Sequence, residues 1–179
     1  EAKSALVFCN TRAMVNRLST RFSNRGFSVV SLSGELSQSE RTQALQAMRD
    51  GRARVCIATD VAARGIDLPG LELVIHADLP SNHETLLHRS GRTGRAGQKG
   101  TSTLIISKKT QQKAQRLLRS ANIKATFQDA PSVRMILERD YERMIDDPTW
   151  NQEISLDQNN KAKLLLANSN PDLIAAAYL

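Results

Sequence analysis

The sequence predicts an α/β fold: a doubly wound parallel sheet of five to six strands with helices on both faces, followed by an α-helical tail. Short apolar, β-branched runs alternate with segments of helical periodicity, and the runs are almost continuously apolar, as in strands covered on both faces. The 179 residues are 40% hydrophobic and 24% charged, which suits one domain of ordinary size and an additional segment. The longest apolar runs are of strand length, so we expect no membrane-spanning segment.

The strands and helices follow each other in regular order. A helix with one apolar face follows the first strand and ends at Gly26. Ser37 and Glu40 form a capping-box signature that opens a second helix, and Ser81 and Glu84 repeat the signature further along. The expected strands are Ala5–Cys9, Ser28–Leu32, Val55–Ala58, Leu73–His76 and Thr103–Ile106.

A change of composition divides the chain into two expected domains, residues 1–128 and an acidic, helical extension of residues 129–179. The first helix of the extension is expected to end near Asp146–Pro148. Asp157 is expected to cap a second helix, and Asn170-Pro171 to begin a third. Three interpretations of the extension are open: it packs on the first domain, it is a linker to a further module, or it mediates dimerisation. The apolar last residues suggest that the sequence is cut from a longer protein.

The charge is concentrated in the middle of the chain. The net charge of +7 divides into +2 for residues 1–80, +9 for residues 81–127 and −4 for residues 128–179. A basic third of this kind favours a polyanionic partner. Both cysteines, Cys9 and Cys56, lie in apolar strand-like runs and are expected to be buried thiols in a reduced, cytoplasmic protein, with no metal or disulfide role.

The segment His88–Arg95 carries the strongest functional signal. Every third residue from position 89 to position 95 is an arginine, and the planar guanidinium group of arginine suits phosphate oxygens. Glycines beside these arginines let the backbone come close to a ligand. The pattern is typical of a device that stabilises charge on a transferring phosphoryl group; the alternative is a solvated basic loop. The sequence contains no Gly-x-x-x-x-Gly-Lys-Ser/Thr loop, so we expect the phosphate cradle on a partner domain.

Four ordered motifs in roughly residues 4–128 resemble the C-terminal RecA-like domain of the DEAD-box RNA helicases, a branch of helicase superfamily 2. The resemblance implies a RecA-like sheet and an ATP-dependent RNA helicase. The motifs are Leu6-Val7-Phe8-Cys9-Asn10-Thr11, Gln38-Ser39-Glu40-Arg41, Ala58-Thr59-Asp60-Val61-Ala62-Ala63-Arg64-Gly65-Ile66-Asp67 and His88–Arg95.

The resemblance also implies four residues that contact ATP. Arg92 and Arg95 match the arginines that reach across an interdomain cleft to the γ-phosphate, where they are the catalytic groups. Asp67 matches the residue that accepts hydrogen bonds from the ribose; its alternative is a helix cap or turn. Gly65 matches a site of close backbone approach, or forms a plain tight turn.

Two further sets of residues follow from the resemblance. His88 and Arg89 match residues that hold the two domains together, and a local salt bridge is an equally good interpretation of Arg89. The expected RNA-binding set suits sequence-independent contact with phosphate and sugar. Its members are Thr11, Arg12, Gly34, Gln38, Arg41, Thr59 and Asp60, of which Thr11 is also a candidate helix cap.

These implications define the expected function. ATP and Mg²⁺ are expected to be held mainly by an N-terminal RecA-like domain of the same protein, so that this chain alone is inactive as an ATPase. RNA is the expected partner, with a possible homodimer through the tail and no membrane contact. The alternatives are a superfamily 2 DNA helicase or translocase domain and a non-catalytic RNA-binding module.

Overall fold

Five parallel strands form one sheet in the order β2-β3-β1-β4-β5. The chain is described from a computed structural model, which covers residues 2–34, 36–95 and 97–178. Central β1 pairs with both β3 and β4, so that Ala5 lies opposite Val55 on one side and Leu73 on the other. The strands are β1 (Ala5–Cys9), β2 (Val29–Leu32), β3 (Val55–Thr59), β4 (Leu73–His76) and β5 (Thr101–Leu104). The expected doubly wound α/β sheet is confirmed.

Helices connect most of the strands. Those of the first part of the chain are α1 (Arg12–Ser23), α2 (Gln38–Arg49), α3 (His83–Ser90) and α4 (Gln111–Ser120), with a 3₁₀ turn at Lys108–Thr110 before α4. The connection from β3 to β4 has turns and no helix, because residues 60–72 remain irregular. This irregular segment contains Gly65 and Asp67, two of the four residues expected to contact ATP.

Successive residues of β1 face opposite sides of the sheet, and each side is covered by a different helix. Leu6 and Phe8 belong to a core shared with Met48 of α2 and with the segment after β3. Val7 and Cys9 belong to a second core with α1. Both cysteines of the chain are buried free thiols, as expected.

This part differs from the sequence prediction chiefly at the starts of α3 and β5; β2 begins and β3 ends one residue later than expected. The capping box at Ser81 and Glu84 is wrong: Asn82 is the N-cap of α3, and its side-chain oxygen accepts from the N–H of Thr85 at 2.8 Å. Strand β5 begins two residues earlier than expected, because its hydroxyl-bearing residues pair with β4, and Ile105 lies just beyond the end of the strand.

The structure divides into two compact units, Glu1–Thr126 and Phe127–Leu179. The second unit contains α5 (Val133–Ile145), a 3₁₀ turn (Pro148–Asn151), α6 (Leu156–Asn168) and α7 (Pro171–Tyr178). The break near Asp147 and the start at Asn170-Pro171 are as expected, but α6 is capped by Ser155, and Asp157 instead pairs with Lys161 at 2.7 Å. No helix among the described residues is long and apolar enough to span a membrane.

Candidate functional site

Arg89 is the buried centre of a hydrogen-bonded network at the carboxyl ends of the strands. Its side chain, only 1% exposed, donates to both carboxylate oxygens of Asp60 at 2.6 Å. It also donates to the carbonyl of Asp78 at 2.9 Å and to Oδ1 of Asn10 at 2.8 Å. The guanidinium carbon lies 5.2 Å from the ring centre of Phe8, which adds a cation–π contact. Most of the donors of this buried cation are therefore used within the chain.

The contacts of Arg89 match the local salt bridge that the sequence left open as an interpretation. An interdomain role for Arg89 stays a prediction. Asp60, which was expected to face RNA, uses both carboxylate oxygens on Arg89 and is 39% exposed. The short loop after α3 begins directly beyond this anchored residue, so the ion pair fixes the base of the segment that carries Arg92 and Arg95.

The expected ATP-facing residues lie close together in the structure. Nη1 of Arg92 donates to the carbonyl of Ile66 at 3.1 Å, and Nη1 of Arg95 lies 3.7 Å from the Asp67 carboxylate. Nε of Arg95 donates to the carbonyl of Gly91 at 2.7 Å, which folds the side chain back over its own loop. Arg92 is partly buried, whereas the side chains of Arg95 and Asp67 are 48% and 75% exposed. Two cations and one carboxylate thus face solvent at one edge of the unit.

The electrostatic environment of Arg92 reflects this arrangement. Partial burial, followed by the positive charge of Arg95, lowers the pKa of Arg92, and the charge of Asp67 acts in the opposite direction. Arginine stays charged in such surroundings because its ordinary pKa is so high. Two guanidinium groups held this close are typical of a site for a multiply charged anion.

Gly65 has a φ of +68°, in the left-handed region that side-chain-bearing residues rarely adopt. No atom lies within 4 Å of the position that a Cβ would take there. Backbone conformation, and not crowding within the chain, therefore explains the glycine. This conformation turns the chain between Arg64 and Ile66 and presents Asp67 outward.

A cavity of about 100 Å³ lies beside the buried ion pair. Its walls include Thr85, His88 and Arg92, together with Arg64 from the segment after β3. His88 is exposed on α3, consistent with a surface position at the rim of the site. The cavity connects His88, expected to face a partner domain, with Arg92, one of the two arginines expected to face ATP.

Most of the positions expected to face RNA lie where a strand ends or a helix begins. Thr11 is the N-cap of α1, and its hydroxyl accepts from the N–H of Met14 at 3.2 Å, which is the alternative that the sequence left open. Arg12, Gly34 and Gln38 are exposed. Because the carboxyl ends of parallel strands meet at one edge of a sheet, these residues share an edge with Asn10 and Asp60.

Two of the expected RNA-facing residues make contacts inside the chain. Thr59 is partly buried, and its hydroxyl accepts from the N–H of Ala62 at 3.4 Å. Arg41 donates to the carbonyl of Ala62 and, at 2.8 Å, to the carbonyl of Arg64. The side chain of Arg41 therefore holds the segment that precedes Asp67.

The expected capping box at the start of α2 is confirmed. The hydroxyl of Ser37 accepts from the N–H of Glu40 at 3.2 Å, while the Glu40 carboxylate accepts from the N–H and the hydroxyl of Ser37. The hydrogen bonds from Ser37 lower the pKa of the Glu40 carboxyl group. This cap fixes the first turn of α2, which contains Gln38 and Arg41.

His76 is a buried core histidine at the carboxyl end of β4. Its Nε2 lies 3.0 Å from the hydroxyl of Ser102 and 3.4 Å from that of Ser90. Burial, followed by the positive charge of Arg89, lowers the pKa of His76 to about 4. The neutral ring therefore connects β4, β5 and the end of α3.

The stretch from 85 to 128 contains ten lysines and arginines and no acidic residue. Lys113, Arg116 and Arg119 are exposed along α4, whose opposite face is buried through Ala114, Leu117 and Leu118. Among the residues that the structure describes, no ion pair involves these three cations. We call this row of three side chains the α4 cationic surface.

The described residues contain no group of three or more histidine, cysteine, aspartate or glutamate side chains suited to hold a metal ion. The exposed carboxylate of Asp67 is paired with Arg95. The residues present therefore fit the phosphates and ribose of a nucleotide better than they fit its Mg²⁺ ion.

Three residues of the site were not singled out from the sequence. Asn10 and Asp78 bind the Arg89 network, and Nη2 of Arg49 donates to the carbonyl of Asp67 at 3.1 Å. Asn10 belongs to the first of the four motifs, so its motif position was the available signal. Nothing in the local pattern around Arg49 or Asp78 indicates these contacts, which depend on how the chain folds back on itself.

Comparisons with known proteins agree with the fold and the motifs. Residues 1–97 match the helicase conserved C-terminal domain family. The ATP-dependent RNA helicase FAL1 of Kluyveromyces lactis is 46% identical over 108 residues, which cover 60% of this chain and 27% of that protein. The DEAD-box ATP-dependent RNA helicase 53 of Oryza sativa subsp. japonica is 40% identical over 130 residues, covering 73% of this chain and 21% of that protein.

Solved structures give the same result. The E. coli DEAD-box protein SrmB, in complex with the regulator of ribonuclease activity A, superposes with a TM-score of 0.62 at 36% identity. The match covers 74% of this chain and 83% of that chain. The chain spans about a quarter of the length of the curated relatives that it matches.

Proposed function

This chain belongs to the helicase conserved C-terminal domain family, in its DEAD-box branch, and we propose on that basis that it is the C-terminal motor half of an ATP-dependent RNA helicase. In this proposal the chain supplies arginine fingers to ATP and a backbone-binding surface to RNA. An N-terminal RecA-like domain of the same protein supplies the phosphate cradle and the Mg²⁺ site.

The single observation that carries the proposal is the meeting of Arg92, Arg95 and Asp67 at one exposed edge of the unit. Three residues from two separate motifs converge there, and their chemistry matches the two polar ends of a nucleotide. Guanidinium groups suit phosphate oxygens, and a carboxylate accepts hydrogen bonds from ribose hydroxyls. The sequence lacks a phosphate-binding loop, which leaves the site incomplete without a second domain.

The proposed chemistry requires Arg95 to release its contact with Asp67, whereas Arg92 can keep its own. Arg92 donates one N–H to the carbonyl of Ile66, and a guanidinium has five N–H donors, so several remain for a phosphate. Arg95 would exchange its 3.7 Å contact with Asp67 for the γ-phosphate, which frees the carboxylate for the ribose. Both arginines then neutralise charge that spreads over the equatorial oxygens during phosphoryl transfer.

The proposed RNA surface is the edge formed by Thr11, Arg12, Gly34, Gln38 and the start of α2. Helix N-termini and short polar side chains favour phosphate contacts, and the absence of exposed aromatic platforms among these residues favours sequence-independent binding. In the whole protein, ATP and RNA would bind together as the two domains close, and hydrolysis would reopen them.

The alternatives account for fewer observations. A non-catalytic RNA-binding module explains the cationic stretch but not the convergence of Asp67 with two arginines. A DNA helicase or translocase has the same motor chemistry, but the curated relatives reported above are named as RNA helicases. The homodimer through residues 129–179 stays a prediction.

The test is to express the N-terminal domain separately, mix it with this chain and measure their association by analytical ultracentrifugation. We expect association that needs both a non-hydrolysable ATP analogue and single-stranded RNA. Arg92→Ala together with Arg95→Ala should abolish the nucleotide-dependent part, whereas Arg116→Ala on α4 should not. Association that is independent of nucleotide would contradict the proposal.

A further inference from the structure

Arg49, the last residue of α2, contacts the main chain of the proposed ribose-binding residue. Its Nη2 donates to the carbonyl of Asp67 at 3.1 Å. The contact joins two elements separated by 18 positions in the sequence, and Arg49 lies outside all four motifs. It therefore has no role in the site as proposed so far.

The carbonyl of Asp67 is one of four that arginines hold in the segment between Ala62 and Asp67. Arg41 donates to the carbonyls of Ala62 and Arg64, and Arg92 donates to that of Ile66. Two of these three donor side chains, those of Arg41 and Arg49, come from α2. A segment without a helix or strand has unpaired carbonyls, and charge-assisted hydrogen bonds restrict where those carbonyls lie.

Packing fixes α2 against the same segment. Ala47 and Met48 of α2 share a buried core with Ala62, Ala63 and Ile66. The main chain at the end of α2, which carries Arg49, is therefore held next to this segment. Arg49 itself is exposed and lies outside this buried core.

The Asp67 carboxylate has few restraints of its own. Its side chain is 75% exposed, and Arg95, the contact that positions it in the present structure, lies 3.7 Å away and is itself 48% exposed. When Arg95 moves to a phosphate, the direction of the Asp67 side chain is set by its main chain. That main chain is held from one side by Arg92 at Ile66 and from the other by Arg49 at Asp67.

From these contacts we infer that Arg49 is a positioning residue for nucleotide binding, which acts by fixing the main chain of Asp67 so that the carboxylate meets the ribose hydroxyls. The inference rests on the proposed function, because it requires Asp67 to accept hydrogen bonds from the ribose. It adds a residue outside the four motifs to the nucleotide site and assigns it to the sugar and not to the phosphates.

The test compares two nucleotides on the intact two-domain protein. ATP and 2′,3′-dideoxy-ATP differ only in the ribose hydroxyls, and KM and kcat are measured for each under saturating RNA. Wild type should prefer ATP by about tenfold in KM, because a carboxylate left without its hydroxyl donors loses charge-assisted hydrogen bonds. Arg49→Met should raise the KM for ATP by about three- to tenfold and leave that for the dideoxy nucleotide within about twofold.

Two variants serve as controls. Arg52→Met removes another exposed arginine just beyond α2, whose ion pair is with Asp50, and should leave both KM values unchanged. Arg49→Lys keeps a cationic donor and should recover part of the preference for ATP. The kcat for ATP should change by less than about twofold in every variant, because the arginines at the γ-phosphate are retained.

Each result separates the inference from the function on which it rests. If Arg49→Met raised the KM for both nucleotides by the same factor, the effect would be a general structural one and the inference would be overturned. The ratio of the two KM values, measured on one sample, does not depend on the fraction of protein that is folded. A wild type with no preference for ATP, or Asp67→Asn with an unchanged KM, would overturn the ribose role of Asp67 itself. A preference that Arg49→Met removes selectively supports both.

Discussion

Both carboxylate oxygens of Asp60 lie 2.6 Å from donors of Arg89, in an ion pair whose cationic side is only 1% exposed. Asp60 directly follows β3, and Arg89 lies near the end of α3, so the pair joins two of the four motifs. Its partners at Asn10 and Asp78 extend the connection to β1 and β4.

Removing Arg89 is expected to destabilise the first unit. Arg89→Met leaves the Asp60 carboxylate and the carbonyl of Asp78 without their donor, and should lower the free energy of unfolding by about 3 kcal/mol, toward the smaller end of the range for buried pairs because Asp60 is partly exposed. Urea denaturation measures the change. Arg95→Met, at an exposed site, should alter the midpoint little, and an equal effect of both variants would contradict the assignment.

Arg92→Ala in the two-domain protein should lower the RNA-stimulated kcat by on the order of 10³, because charge on the γ-phosphoryl group loses a stabilising cation. The melting temperature should hardly change, since Arg92 makes one hydrogen bond to a carbonyl within the chain. Arg116→Ala, on the exposed face of α4, is the matched control. Unchanged turnover in the Arg92 variant would rule out the finger assignment.

Acid is expected to destabilise the fold through His76. The pKa of His76 is lowered from 6.5 to about 4, so below pH 6.5 the unfolded chain binds a proton that the folded chain does not. Stability is therefore complete above pH 6.5 and falls by up to about 1.4 kcal/mol per pH unit between pH 6.5 and 4, a total of about 3 kcal/mol.

Urea unfolding of wild type and His76→Gln across this pH range measures the effect. The variant should show a shallower pH dependence, and His83→Gln, which removes a less buried histidine, should keep the wild-type slope. Parallel curves for wild type and His76→Gln would show that His76 does not titrate differently on folding.

Ser37→Ala is expected to destabilise the start of α2. The change removes the acceptor for the N–H of Glu40 and one donor to its carboxylate, and losses of this kind cost about 1 kcal/mol. Thermal unfolding measures the loss. Ser39→Ala replaces an exposed serine two positions along and is the control; equal destabilisation by both would argue against the capping box.

The thiols of Cys9 and Cys56 should resist modification in the folded chain. Burial raises the pKa of Cys9 to about 11, with a further contribution from Asp78, and burial raises that of Cys56 to about 12. The thiolate fraction at pH 8 is then on the order of 100-fold below that of a free cysteine for Cys9 and on the order of 1,000-fold below it for Cys56. Reaction with a disulfide reagent should release two equivalents only in guanidinium chloride, and fast labelling without denaturant would contradict the buried placement.

Local sequence signals were enough to find all five strands, with β5 displaced by two residues, and to place α2, because each depends on residues close in sequence. The continuously apolar run of β1, which is buried throughout, and the Ser37–Glu40 box are examples. The same reasoning was wrong at Ser81 and Glu84, where Asn82 competes for the cap one residue later. Two good capping side chains in a row leave the sequence without a local means of choosing between them.

Contacts across long separations were beyond the sequence. The motif pattern identified Arg92, Arg95 and Asp67, but the pairing of Arg89 with Asp60 joins positions 29 apart. Arg49 and its contact with Asp67 have no local signature at all, since an exposed arginine at the end of a helix is ordinary. Such contacts depend on tertiary packing, which brings α2 against the segment after β3.

The α4 cationic surface consists of one lysine and two arginines, in a 44-residue stretch without any carboxylate. Dissolved ions weaken the attraction of this surface for a polyanion, because they shorten the distance over which the three charges act. The ionic composition of the surroundings therefore sets how strongly this face attracts a polyanion.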